Sequence, residues 1–142
     1  FSITMDDALN FIVRAAELGK GSEIFLPKLR AYTISDVKAA LFELLENTGE
    51  EIVGIRPGEK IDEILISTEE IRHGWEYENM YMLKQASFQT LANTKIENNS
   101  KKDELYPGIQ KIQNMETYSS KTVEKISIKE LKSIITSSNL IP

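Results

Sequence analysis

There is no cysteine in the 142 residues and only one histidine. The first absence excludes a disulfide framework, a thiolate zinc site and a cysteine nucleophile, and it fits a reducing compartment. The second excludes a multi-histidine metal centre, and no His-Glu-x-x-His spacing occurs. No apolar run approaches the roughly 18–20 residues of a membrane span, and no secretory signal is visible. The expectation is a cytoplasmic protein without a membrane partner. Basic residues are not in excess: 17 Lys and Arg stand against 22 Asp and Glu, a net charge of −5. A general nucleic-acid binder would carry a basic stripe. None of the seven glycines falls into Gly-x-Gly-x-x-Gly, Gly-x-x-Gly-x-x-Gly or Walker spacing, so the chain holds no dinucleotide fingerprint and no phosphate-binding P-loop.

What remains is an ordinary globular composition, 41% hydrophobic and 27% charged, with room for one domain that buries about two-thirds of its unfolded surface. Thr4 suits a helix N-cap, with Asp6 and Asp7 in a first turn where the dipole favours negative charge. Ala8, Leu9, Ile12, Val13, Ala16 and Leu18 recur at helical spacing and predict one buried face, stopped by Gly19 and Gly21. Glu23–Leu26 reads as a short strand ended by Pro27. Ser35 is expected to cap a second helix, with Val37, Ala40, Leu41, Leu44 and Leu45 inward and Asn47-Thr-Gly49 at its end. Ile52, Val53 and Ile55 predict a strand running into the Pro57-Gly58 turn. Ile61–Ser67 fits a strand or a helical turn equally. Thr68 is placed as the cap of a short helix over Glu69–Arg72, and Trp75–Leu83 alternates as one half-buried strand. Residues 86–115 are polar and read as a long loop, a flexible arm or a weakly ordered helix. Order is expected again at Thr117-Tyr-Ser-Ser120, and Ser127 with Glu130 forms a capping box for a last helix. The fold class is therefore α/β with few short strands and packed helices. The expected divisions are an α/β portion over 1–83, a polar arm over 84–115 and a C-terminal segment over 116–142.

The chemistry concentrates in Arg56-Pro-Gly-Glu-Lys60. Arginine presents a planar fork that matches phosphate oxygens bidentately. Gly58 removes a side chain that would keep a ligand off the backbone. Glu59 is an acceptor able to take two adjacent hydroxyls, as in a ribose. Together these suit a nucleoside diphosphate; taken alone, the same five residues also make a plain surface turn. The other candidates read as structure. Asp6-Asp7 and Glu69-Glu70 stand at helix starts, and Glu50-Glu51 reads as solvated. His73 is a surface histidine, and Trp75, Tyr77 and Tyr81 are core or interface aromatics before they are stacking platforms. Tyr118-Ser-Ser-Lys121 falls one residue short of the Tyr-x-x-x-Lys pair of short-chain dehydrogenases. Asn98-Asn-Ser100 is a formal glycosylation sequon, disregarded for want of a secretory signal.

Six segments in order resemble one family: Phe1-Ser-Ile-Thr-Met-Asp-Asp7, Gly21-Ser-Glu-Ile-Phe-Leu-Pro-Lys28, Ile52-Val-Gly-Ile-Arg-Pro-Gly-Glu-Lys60, Glu63-Ile-Leu-Ile-Ser67, Trp75-Glu-Tyr-Glu-Asn-Met-Tyr81 and Thr117-Tyr-Ser-Ser120. They are similar to the C-terminal part of the UDP-N-acetylglucosamine 4,6-dehydratases, nucleotide-sugar enzymes of the extended short-chain dehydrogenase/reductase superfamily. The Arg-Pro-Gly-Glu form is closer to the inverting, pseudaminic-acid type than to capsule enzymes with histidine where Pro57 stands. Asp62 departs from the pattern, since histidine is common there. The resemblance covers residues 1–83 and 116–136.

The resemblance implies a Rossmann half that binds NADP or NAD and supplies the catalytic tyrosine, lysine and acidic residue, all before Phe1. No catalytic residue, cofactor-binding residue or metal ligand is assigned within this chain. It implies Arg56 on the UDP pyrophosphate, Glu59 on the uridine ribose and Gly58 between them. It also implies a UDP-sugar and the Rossmann domain as partners, and a homo-oligomer. The expectation is a substrate-binding part of a longer enzyme of surface-polysaccharide synthesis, inactive alone. The alternative is a non-enzymatic nucleotide-sugar-binding or assembly module without a Rossmann domain.

Overall fold

In the computed structural model, residues 1–84 and 106–137 are described. Most of the expected polar arm and the Asn98 sequon fall on 85–105, outside the described residues. The elements run α1 (Met5–Leu18), β1 (Glu23–Pro27), α2 (Ile34–Leu44), β2 (Ile64–Ile66), α3 (Thr68–Ile71), β3 (Gly74–Tyr77), β4 (Met80–Lys84), β5 (Gln110–Lys111), β6 (Tyr118–Ser119) and α4 (Ile128–Ser137). The chain divides into two compact units. One is Phe1–Ser2, Leu29–Glu63 and Ser119–Pro142; the other is Ile3–Lys28 and Ile64–Tyr118.

The second unit is organised by an antiparallel sheet in the order β1-β4-β3-β5. The single strand expected over Trp75–Leu83 is a hairpin. Glu78 takes φ 49° and the chain reverses, so that Tyr77 opposes Met80 and Trp75 opposes Met82. β4 therefore lies between β3 and β1, and Met80, Tyr81, Met82 and Leu83 are all buried. Alternation sends its side chains to opposite faces. Met80 and Met82 join Tyr77, Tyr106 and Ile109 in one core cluster, with Phe11, Leu18, Phe25 and Trp75 packed against it. Tyr81 meets Tyr118 edge-on, ring centroids 4.9 Å apart. Tyr106 stands edge-on to Tyr77 at 5.7 Å and to Phe25 at 6.5 Å, and its hydroxyl donates to the Leu18 carbonyl at 3.3 Å. Burial and the neighbouring Glu23 carboxylate push that phenol up to about 12. Gly74 is closely packed: an added Cβ would lie 2.6 Å from Ile112 Cδ1 and 3.1 Å from the Ile71 carbonyl oxygen.

α1 starts as expected. The Thr4 hydroxyl accepts the Asp7 N–H at 3.2 Å, and Asp6 and Asp7 occupy the first turn. Its inward side matches the expectation at Ala8 and Leu18 and differs at Leu9, Ile12, Val13 and Ala16. Ala8, Phe11, Ala15 and Leu18 are half-buried, whereas Leu9, Ile12 and Val13 are exposed. Both sets recur at helical spacing, and the sheet takes the one carrying the large Phe11.

In the first unit, α2 lies along α4 over a core of Ala40, Ile126 and Leu131, flanked by Val37, Ile128, Ile134 and Ile135. The cap of α2 is Thr33, not Ser35. Asp36, three residues after Thr33, returns a hydrogen bond to the Thr33 N–H at 3.2 Å and completes a capping box; three residues after Ser35 stands Lys38, which cannot accept one. The same logic moves the cap of α3, in the other unit, from Thr68 to Ser67, whose partner is Glu70. Ser127 and Glu130 form the expected box at α4. α2 ends at Leu44, before the Asn47-Thr-Gly49 stop, and Leu45 is exposed. Arg30 bonds Glu130 at 2.9 Å and reaches Glu124 at 3.7 Å, and Lys132 pairs with Glu43 at 2.6 Å.

The strand expected at Ile52–Ile55 does not form. Residues 50–56 carry no ladder, and Ile52 and Val53 are 89% and 70% exposed. A β-branched run becomes a strand only against a neighbour, and among the described residues it has none. The ambiguous run Ile61–Ser67 resolves as β2, paired with β6.

Candidate functional site

Arg56, Pro57, Gly58 and Glu59 form a tight turn. The Glu59 N–H donates to the Arg56 carbonyl at 3.0 Å, and Gly58 sits at φ 87°. Proline at the second position and a positive φ at the third are the signature of a type II turn, which excludes side chains with a Cβ at the third position unless strain is accepted. Among the described residues, no atom beyond its own chain neighbours lies within 4 Å of where a Gly58 Cβ would stand, so φ, not crowding, favours glycine here. No described side chain covers the bare backbone there.

The turn brings its two charged ends together. The Arg56 backbone N–H donates to Glu59 Oε2 at 2.8 Å, and Arg56 Nε lies 3.9 Å from Glu59 Oε1. Both side chains remain exposed, at 76% and 51%. Such a pair contributes at most about 1 kcal/mol to stability, so its worth to the fold is small. Chemically it offers a cationic fork, a glycine with accessible backbone and a carboxylate within one turn. That set can engage an anion at one end and hydroxyls at the other.

The remaining candidates are accounted for by structure. Asp7 accepts the Thr4 hydroxyl at 2.6 Å. Glu70 closes the α3 box, and the Ser67 N–H and hydroxyl hold its carboxyl below the usual range. Glu50, expected to be solvated, pairs with Lys38 at 2.8 Å. His73 is exposed, Tyr77 and Tyr81 are buried, and half-buried Trp75 lies under Lys111, whose Nζ is 4.7 Å from the ring centroid.

One cluster escapes sequence reasoning. Lys28 bonds the Glu76 carboxylate and lies 5.4 Å from the centre of the Tyr81 ring. Burial, then Glu76 and Tyr118, raise the Tyr81 phenol above its ordinary value. The signal lies in pairing register, since Glu76 opposes Tyr81 across the hairpin. With its cation already matched, the cluster serves as a cross-strand lock.

Among the described residues, no strand runs through a glycine-rich turn into a helix. A Rossmann site needs a strand, a glycine-rich turn and a helix in succession. The β1–α2 connection, residues 28–33, and the β2–α3 connection at Ser67 contain no glycine, and the four-stranded sheet is antiparallel throughout. Among the described residues, no group of three or more His, Cys, Asp or Glu side chains is placed to hold a metal ion, and no helix is long and apolar enough to cross a membrane.

Comparison with known proteins places the turn in context. A UDP-N-acetylglucosamine 4,6-dehydratase (inverting) of Campylobacter jejuni is 37% identical over 83 residues, 58% of this chain and 24% of that protein. A capsular polysaccharide biosynthesis protein, CapD, of Staphylococcus aureus is 33% identical over 86 residues, 57% of this chain and 14% of that protein. The X-ray structure of Pen from Bacillus thuringiensis superposes over 100% of this chain and 38% of its own, with a TM-score of 0.76 at 23% identity, a likeness of fold. The chain thus spans about a quarter or less of the length of these two curated relatives. Residues 1–85, which include the whole Arg56–Glu59 turn, match the family described as polysaccharide biosynthesis protein, and the chain belongs to that family.

Proposed function

We propose that residues 1–83 are the nucleotide-sugar-binding portion of a UDP-N-acetylglucosamine 4,6-dehydratase, and that the Arg56–Glu59 turn grips the UDP. Arg56 takes the pyrophosphate through its fork, Gly58 lets the ligand approach the backbone, and Glu59 accepts from the ribose. The observation that carries this reading is the turn itself: a positive-φ glycine between a cation and a carboxylate, inside the family match. The chemistry belongs to residues outside these 142. The support is that relatives are several times longer and that the described residues offer no dinucleotide cradle. On this reading the rest of the enzyme is a Rossmann half with NADP or NAD, and the assembly is a cytoplasmic homo-oligomer. The chain alone binds without turning over.

Calorimetric titration with UDP tests the reading. Binding to the chain as it stands, lost in Arg56→Ala, is the expected result. Equal binding by Arg56→Ala, or none by the unmodified chain, would overturn it.

A further inference from the structure

The turn at Arg56–Glu59 is closed twice. The Glu59 N–H reaches the Arg56 carbonyl, and the Glu59 carboxylate reaches back to the Arg56 N–H. Among the described residues, four other places use the same reach. Asp36, Glu70, Glu130 and Glu23 each accept the backbone N–H of the residue three positions earlier, at 3.2, 2.9, 3.1 and 3.2 Å. At the first three a helix follows, and the carboxylate satisfies a donor that the helix leaves without a partner; at Glu23 the strand β1 begins. After Glu59 no helix follows; residues 59–63 have no regular structure before β2. This clamp starts no element. It fixes the backbone from which the Arg56 side chain leaves, and it sets the Nε edge of the guanidinium 3.9 Å from the second carboxylate oxygen.

We infer that Glu59 is a positioning residue for Arg56, holding the arginine so that its fork is pre-set for a diphosphate. The inference rests on the nucleotide reading above and goes past it. There Glu59 meets the sugar end of the ligand; here it acts on the phosphate end, through Arg56. An anion site assembled in advance avoids the ordering cost that a loose, fully exposed arginine incurs on binding.

The two roles separate with inorganic pyrophosphate, which has no ribose. If Glu59 served the ribose alone, Glu59→Ala would leave pyrophosphate binding unchanged or tighten it, because a negative charge leaves the neighbourhood of the anion. As a positioning residue, Glu59→Ala weakens pyrophosphate about tenfold, and Glu59→Gln, whose amide oxygen still accepts the Arg56 N–H, recovers most of the loss. Equal or tighter binding by Glu59→Ala overturns the inference. Hydrogen exchange at the Arg56 amide reads the clamp without any ligand. It is expected to run about tenfold faster in Glu59→Ala than in the unmodified chain, and equal rates would also overturn the inference. Failure of the unmodified chain to bind pyrophosphate, with the exchange difference intact, would sink the nucleotide reading and leave the clamp standing.

Discussion

The β3–β4 hairpin and the stretch 46–63 both carry side chains suited to strands, and their outcomes are opposite. In the hairpin, Met80 is 4% exposed, Met82 1% and Leu83 7%, because β3 lies two residues away in sequence and β1 covers the other edge. In the stretch, Ile52, Val53, Ile55 and Ile61 are all exposed and no ladder forms. Propensity is a fit to a half-buried surface, and only the hairpin has that surface supplied within the described residues. The residues proposed for a ligand lie in the stretch, whose backbone hydrogen bonds are few: the Arg56–Glu59 turn, the Gly49 N–H to the Asn47 side chain, and the bonds of Glu63 with Ser120. The residues suited to stability lie in the hairpin.

The comparison breaks most sharply at Tyr106, which fills the core between Tyr77 and Phe25. Tyr106→Ala should cost about 3–5 kcal/mol in chemical denaturation; a loss under about 1 kcal/mol would mean that the hairpin does not carry the fold. Gly74→Ala should cost about 1–3 kcal/mol, because Ile112 must give way, and an additional Ile112→Ala should relieve much of it. A smaller effect depends on pH. Glu130 is lowered from 4.5 to about 2, first by the Arg30 hydrogen bond and then by the Ser127 N–H and hydroxyl. Its contribution is complete above its ordinary value and is lost as pH falls through about 2. Stability of Glu130→Gln should therefore fall less than that of the unmodified chain between pH 4.5 and 2. Ile52→Thr should change stability by less than about 0.5 kcal/mol. A large loss there would show Ile52 buried in solution and erase the contrast.

How much was legible follows from where each signal lies. The Thr4 cap, β1 with its Pro27 end and the Ser127–Glu130 box are written within a few neighbouring residues, and all three appear in the structure. Thr33 and Ser67 were also legible, through the acid three residues on, but Ser35 and Thr68 stand beside them and compete when that partner is not weighed. The reversal at Glu78 was marked by a break in the alternation, where Glu78 and Asn79 are polar in succession and Met80–Leu83 are all apolar, and by Asn79, a turn former. Which face of α1 turns inward was not legible, since apolar residues occupy both sides and the sheet alone chooses. Nor was the missing strand at Ile52–Ile55, because a partner strand is not a local property. At the candidate site, Arg56, Gly58 and Glu59 were legible as a set. The carboxylate reaching back to the Arg56 N–H was not, since the same pattern three residues apart normally announces a helix.

The most direct measurement follows amide shifts across the isotope-labelled chain during titration with UDP. The account predicts shifts centred on Arg56, Gly58 and Glu59, little change over the hairpin residues 74–84, and loss of the response in Arg56→Ala. A silent turn with shifts in the hairpin, or a response that survives Arg56→Ala, would contradict it.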